Sequence, residues 1–394
     1  MRLSTPGNPH LTYCTNIHAG ETWAEVRANL DRYVTAVKRE VAPDRPFGVG
    51  LRLSGIAAET LSQPGELEAL RDFLTAHGLY IFTINGFPYG PFHGTRVKEE
   101  VYLPSWLDEE RLTYTDRLAR LLAALLPDEA GLEGTVSTLP GAFKPLVTTP
   151  EDVARMAQHL LRHAAMLHRL HQETGKLISL AIEPEPWCFV ETVAEAVAFF
   201  QDHLFSTAAI GMHGLTEDVV RRHLGLCFDA CHMAVGFEEP LAAIGRLTAA
   251  GIRIGKIQVS AGLKVVFDGQ DAPLLAALRP FAEGVYLHQT VERTQGRLSR
   301  FLDLPDALAM AEAGTGEPRE WRIHFHVPLF LERLGLFGNT QDYLRELLAL
   351  VAKSHVSSHL EVETYTWDVL PEQYRRDGVV TAVAREMQWV MQQL

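Results

Sequence analysis

The chain is predicted to fold as an α/β protein, a (β/α)8 barrel, on three observations. Short apolar runs alternate with longer amphipathic ones from end to end, the pattern of repeated βα units around a parallel sheet. Several runs in the second half end in a carboxylate, amide or imidazole: LISLAIEPEP (177–186), LGLCFDACH (224–232), IRIGKIQVS (252–260), WRIHFHVP (321–328) and SSHLEVETY (357–365). If those strands are parallel neighbours, Glu183, Asp229, Gln258, His324, His326 and Glu363 converge at one end of the barrel, where a divalent metal site can be built. No linker rich in Pro, Gly or Ser divides the 394 residues, so one elaborated domain spanning 1–394 is expected rather than two.

Taken in order, strand-like runs fall at 11–18 (LTYCTNIH), 47–54 (FGVGLRLS), 79–87 (LYIFTINGF) and 134–140 (GTVSTLP), then at 177–186, 224–232, 252–260 and 357–365. Two extra strand candidates, 285–291 (VYLHQTV) and 321–330 (WRIHFHVPLF), lie between the seventh and eighth barrel strands, so about 260–355 is expected to be an insertion. The intervening helices carry explicit signals. Thr149 can cap, Pro150 suits the first helical position, and Glu151 and Asp152 favour its positive end. Val153, Met156, Ala157, Leu160, Leu161, Ala164 and Leu167 recur at helical spacing, and Gly175 marks the stop. The segment 371–394 reads as a closing helix.

Composition narrows the function. With 47% hydrophobic residues the chain can bury a large core. Its 36 basic and 49 acidic residues give a net charge of -13, and no Lys or Arg cluster is visible, which argues against nucleic acid as a partner. No apolar stretch reaches a membrane-spanning length and the N-terminus lacks a secretory pattern, so a cytoplasmic protein without a transmembrane segment is expected. Cys14, Cys188, Cys227 and Cys231 form no CxxC pair and read as buried small residues rather than disulfides.

Strand alternation assigns faces. It turns Ser179, Ala181 and Glu183 inward, with Cys227 and Asp229, Lys256, Gln258 and Ser260, Arg322, His324 and His326, and His359, Glu361, Glu363 and Tyr365. Several inward carboxylates at one level repel one another unless a cation joins them. The competing arrangement is that Glu183, Asp229 and Glu363 pair with Lys256, Arg322 or Arg52. His232 follows Asp229 by three residues where the chain turns, and His324 and His326 can grip one ion or simply hydrogen-bond.

The order of Glu, Asp-x-x-His, a polar seventh-strand residue, x-His-x-His and a final Glu resembles the xylose isomerase-like TIM barrel superfamily. Sugar isomerases, ketose 3-epimerases and endonuclease IV-type enzymes belong to it and use one to three divalent metals. More closely, HLTYCTNIH, FTINGFPYGPFH, VKEEVYLPSW, WRIHFHVPLF and HLEVETYTWDVLP resemble the EboE-type metabolite traffic proteins across nearly the whole chain. The resemblance implies Glu183, Asp229, Gln258 and Glu363 as central metal ligands, and Asp229, His232, His324 and His326 as a second cluster. It implies a divalent ion such as Zn, Mn, Mg, Fe or Co, a small-molecule metabolite, and protein partners in a metabolite-export system. Gln258 departs from the pattern, because those enzymes usually place His or Asp there and a neutral amide is a weaker ligand.

Three activities follow as expectations. The first is a sugar isomerase or epimerase-like enzyme in which Glu183, Glu363 and His232 are catalytic. Its substrate would be contacted by His18, Asn85, Trp187, Glu185 and Tyr365, with Tyr89, His93 and Trp367 in nearby loops. The second is a non-catalytic carrier or maturation factor for a secondary metabolite. The third is a metal-dependent hydrolase of a small phosphorylated substrate.

Overall fold

The computed structural model describes residues 1–269, 271–312 and 317–394. Eight parallel strands form the main sheet: β1 (His10–Tyr13), β2 (Phe47–Arg52), β3 (Leu79–Asn85), β4 (Gly134–Thr138), β5 (Ile178–Ile182), β6 (Leu224–Asp229), β7 (Ile254–Val259) and, last in the chain, β13 (His359–Val362). Their order is β1-β13-β7-β6-β5-β4-β3-β2. The two edges, β1 and β2, meet through a parallel bridge between Cys14 and Gly50. Side chains reinforce that seam. Thr12 Oγ1 donates to Gly48 O at 2.7 Å and accepts from Gly50 N at 3.0 Å, and Thr15 Oγ1 accepts from Arg52 N at 2.9 Å. The barrel therefore closes at the point where the backbone ladder is thinnest.

Each strand is shorter than the apolar run that predicts it, because the chain leaves the sheet at the polar residue. The helix drawn from 150–175 spans Pro150–Thr174; Thr149 and Asp152 form a reciprocal capping box, and Gly175 ends it at φ 70°. The closing helix starts later than expected, at Val379, because Gly378 takes φ 75° and the preceding stretch forms only a short turn at Glu372–Tyr374. Four free cysteines are buried. Among the described residues, no helix is long and apolar enough to cross a membrane.

Between β7 and β13 the chain builds a second, antiparallel sheet from β8 (Gly262–Phe267), β9 (Thr290–Thr294), β10 (Arg297–Phe301), β11 (Arg319–His326) and β12 (Gly338–Asn339), in the order β10-β9-β11-β8-β12. Of the two extra strands expected here, 321–330 is β11 with a shifted boundary, whereas 285–291 is mostly loop before β9. The charged, exposed β10 and the short β12 lack an apolar alternation to reveal them. A register shift in β11 between Ile323 and His326 delivers both His324 and His326 to the barrel mouth.

The barrel interior carries buried polar groups at several heights. In its lower part Thr135 Oγ1 meets Thr83 Oγ1 at 2.9 Å and His359 Nδ1 at 2.8 Å. Above them Lys256 and Glu361, both fully buried, form an ion pair at 2.5 Å. Gly50 makes room for that pair, since a Cβ there would collide with the Glu361 carboxylate.

Candidate metal centre

The mouth of the barrel holds a cluster of buried groups whose hydrogen bonds are incomplete. Asp229 ends β6 and caps the helix that follows, so its Oδ1 accepts from His232 N at 2.9 Å and from Ser260 Oγ at 2.8 Å. Among the described residues its Oδ2 has no hydrogen-bond partner, nor do Glu183 Oε2, His326 Nε2 or either amide atom of Gln258. A native interior rarely leaves so many polar atoms of one cluster unpaired. Glu363 is different. Its Oε1 accepts from Asn16 Nδ2 at 2.8 Å and from Asn85 Nδ2 at 2.9 Å.

Three imidazoles are oriented alike. His232 Nδ1 donates to Pro184 O at 2.9 Å, His324 Nδ1 to Gln289 Oε1 at 2.7 Å, and His326 Nδ1 to Glu363 O at 2.8 Å. Gln289 is itself fixed, because its amide nitrogen faces Tyr102 Oη at 2.8 Å and Pro186 O at 3.3 Å. With Nδ1 occupied as a donor, each ring presents the Nε2 lone pair inward, the arrangement that an oxygen accepting from Nδ1 behind the ring imposes on a metal-binding histidine.

Two of those lone pairs, on His232 and His324, lie 3.0 Å apart. Protonating one of them is disfavoured at His324, where burial and then the neighbouring His232 and His326 hold the ring well below its ordinary value. Burial also lowers His326 to about 4. The Tyr365 hydroxyl, 3.2 Å from His324 Nε2, can donate there, but among the described residues His326 Nε2 has no hydrogen-bond partner.

The carboxylates carry the complementary problem. Burial raises Glu183 well above the ordinary carboxylate range, and Glu363 and Asp229 add repulsion. Glu363 is raised by burial and then by Asp229 and Glu361. The alternative expectation, that basic side chains neutralise them, fails. Lys256 pairs with Glu361, Arg322 with Glu320 at 2.7 Å, and Arg52 with Glu21 at 3.1 Å.

The donor set fits a divalent ion. Ligand atoms of His232, His324 and His326 lie within 4.8 Å of one another, as do those of Glu183, Asp229 and His232, and those of Asp229, Cys231 and His326. Two ligands about 2.1 Å from a tetrahedral ion sit roughly 3.4 Å apart. The 3.0 Å between His232 and His324 and the 3.8 Å between His232 Nε2 and Asp229 Oδ2 bracket that spacing. Glu363 stands outside these three groups, held by its two asparagines.

A scan of protein-family models finds no match to the chain, and a search of curated proteins finds none either. Solved structures do match. A xylose isomerase-like TIM barrel protein from Mycobacterium smegmatis in complex with magnesium superposes with a TM-score of 0.52 at 14% identity, covering 99% of this chain and 98% of that one. This chain has the fold of the xylose isomerase-like TIM barrels. A xylose isomerase domain protein from Alicyclobacillus acidocaldarius, with a TM-score of 0.47 at 14% identity, covers 97% of this chain and 98% of its own. A probable 3-DHS dehydratase from Bacillus anthracis, with a TM-score of 0.47 at 12% identity, covers 96% and 97%.

In this xylose isomerase-like barrel, the cavity above the cluster spans about 520 Å³ including its open mouth. Asn85, Glu183, Glu185, His232, His324, Glu363 and Tyr365 line it. Two residues expected at the substrate do not. The first strand ends at Tyr13 rather than at 18, and a short turn at Thr15–Ile17 swings His18 against Tyr13 Oη at 3.0 Å and onto the Tyr33 ring at 4.2 Å. Trp187 sits outside the cavity wall at φ 66°, as do Tyr89, His93 and Trp367. Arg322 shares a strand face with His324 by periodicity, yet it reaches Ala234 O and the Phe237 ring instead.

Sequence reasoning missed Tyr102 and Gln289. Tyr102 Oη donates to Glu185 Oε1 at 2.8 Å, and Gln289 orients His324. Tyr102 comes from a turn in the loop after β3, and Gln289 falls in the 285–291 run just before β9 begins at Thr290, so strand alternation places neither side chain.

Proposed function

We propose that the protein is a metal-dependent enzyme acting on a small polar metabolite, most simply an isomerase or epimerase. As the EboE resemblance implies, it would serve the processing or export of a secondary metabolite. One observation carries the reading: three buried histidines, each with Nδ1 bonded to an oxygen, aim Nε2 at a space shared with Asp229 Oδ2 and Glu183 Oε2, which have no hydrogen-bond partner among the described residues.

A divalent ion bound there would polarise a carbonyl and its adjacent hydroxyl. The chain supplies the rest. Glu183 follows β5 and Glu363 follows β13, so they approach a bound carbon from different strands. Burial and shared negative charge raise both carboxyls above the ordinary carboxylate range, a shift that suits a group which takes up and returns a proton. Asn16 and Asn85 fix one oxygen of Glu363 and leave the other for proton exchange. Tyr102 holds Glu185 at the edge of the same cavity.

The direct test is elemental analysis of purified protein, with thermal denaturation before and after adding Mn, Mg, Zn, Fe or Co. The reading expects a bound metal and a raised melting temperature; absence of both would overturn it. The carrier reading draws on Gln258, a weaker ligand at a central position. In cells that export the metabolite, loss of export in Glu183→Gln and Glu363→Gln supports catalysis, and full export supports a carrier.

A further inference from the structure

The cavity divides into two chemically distinct halves. Its floor is the polar cluster just described. Its walls are Phe87, Phe92, Val97, Val101, Tyr286 and Leu287, contributed by the loop after β3 and by the insertion before β9. These two segments are fastened together over the mouth. Val97 N and Lys98 N both donate to Val285 O, at 2.8 and 2.9 Å, and Tyr286 Oη donates to Phe92 O at 2.9 Å. The rings of Phe92, Tyr286 and Tyr365 stand 5.2 to 5.4 Å apart in all three pairings, so they pack on one another as an aromatic cluster that forms one side of the cavity.

The wall also shows what it does not recognise. Lys98 is the cationic residue in the lining, and its ammonium is already bound to Asp303 at 2.5 Å and to Glu283 O at 3.2 Å. Arg52, behind Phe92, is spent on Glu21, Gly20 O and Gly90 O. A phosphate or carboxylate leaving the floor would meet rings and branched aliphatic carbons with no free cation, at the full desolvation penalty of an unpaired charge. A polyhydroxylated chain would likewise leave its hydroxyls unbonded there.

Resting on the metal-dependent reading above, we infer that the substrate is an uncharged amphiphile. A hydroxy-carbonyl or vicinal-diol head meets the polar floor, and an aromatic or branched-aliphatic body lies against the apolar wall that the loop after β3 and the insertion form together. The insertion then acts as the specificity element, because Tyr286 and Leu287 form the side of the wall that the eight βα units do not build. Ring contacts of this kind favour a flat apolar body over a free sugar.

The test uses metal-loaded protein and isothermal calorimetry with three probes: hydroxyacetone, 1-hydroxy-3-phenylpropan-2-one and dihydroxyacetone phosphate. The phenyl ketone is expected to bind at least about tenfold tighter than hydroxyacetone, and the phosphate no tighter than hydroxyacetone. Leu287→Ser and Val97→Ser should each erase most of the phenyl preference while metal content stays the same, which separates a lost wall from a lost fold. Equal affinity for the two ketones, tighter binding of the phosphate, or no binding of any probe by a metal-loaded sample would overturn the inference and leave the metal reading standing. A sample that takes up no metal overturns the metal reading itself.

Discussion

Two groups of buried charge sit in the same barrel, and they are solved differently. In the middle of the lumen Lys256 and Glu361 meet at 2.5 Å, both fully buried, so the carboxylate has its cation within the chain. Burial opposes the Lys256 charge, yet Glu361 and then Cys227 and Cys14 hold its pKa above the ordinary lysine value. At the mouth, Glu183 and Asp229 form no ion pair with a lysine or arginine among the described residues, and three imidazoles lie beside them. The difference teaches how structure and function divide: charge completed from within the chain serves the barrel itself, whereas a cluster of perturbed groups not completed that way is a candidate functional site.

The largest effect should come from breaking the closed group. Lys256→Met leaves Glu361 buried without a cation and should lower stability by about 3–5 kcal/mol, measured by denaturant unfolding, with no rescue by divalent metal. The open group should respond in the opposite way. His324→Ala should weaken divalent affinity by more than about 100-fold with a smaller change in metal-free stability, and Gln289→Leu, which removes only the acceptor for His324 Nδ1, by about 10–100-fold. Metal titration followed by calorimetry reads both. If Gln289→Leu leaves affinity unchanged, the orientation of His324 is not what builds the site.

A smaller effect concerns pH. Glu183 and Glu363 have raised values in the folded protein, so above the ordinary carboxylate range the native state binds more protons than the unfolded chain, and stability falls as pH rises. The histidines, lowered by burial, push the other way, but only up to their ordinary value of 6.5. From pH 6.5 to about pH 8, metal-free protein should therefore lose thermal stability, and metal-loaded protein should not. Glu183→Gln should flatten the slope and stabilise the metal-free form by about 1 kcal/mol at the upper end. A slope that persists unchanged in the variant would place its origin elsewhere.

Much of this contrast was legible in the sequence, and what was not has physical reasons. Alternation places Lys256, Glu361, Glu183, Asp229, Gln258 and Glu363 on inward faces, because a strand's period of two is local and survives small errors in strand ends. It does not say which inward carboxylate takes the lysine. That depends on height in the barrel and on the gap left by Gly50. His18 was misplaced because three residues of turn after Tyr13 outweigh the apolar run that continues through it. Trp187 was misplaced because a positive φ redirects the chain just past β5. Tyr102, Gln289 and the aromatic cluster were invisible because they come together only when the loop after β3 meets the insertion, a contact between segments nearly 190 residues apart.

The central claim is that the open group is completed by a divalent ion. Anomalous diffraction from crystals grown with Zn or Mn tests it most directly. The account predicts a strong peak about 2.0–2.2 Å from the Nε2 atoms of at least two of His232, His324 and His326 and from a carboxylate oxygen of Asp229 or Glu183. A map with no peak there, and with Glu183 and Asp229 paired instead to a basic side chain, would contradict it.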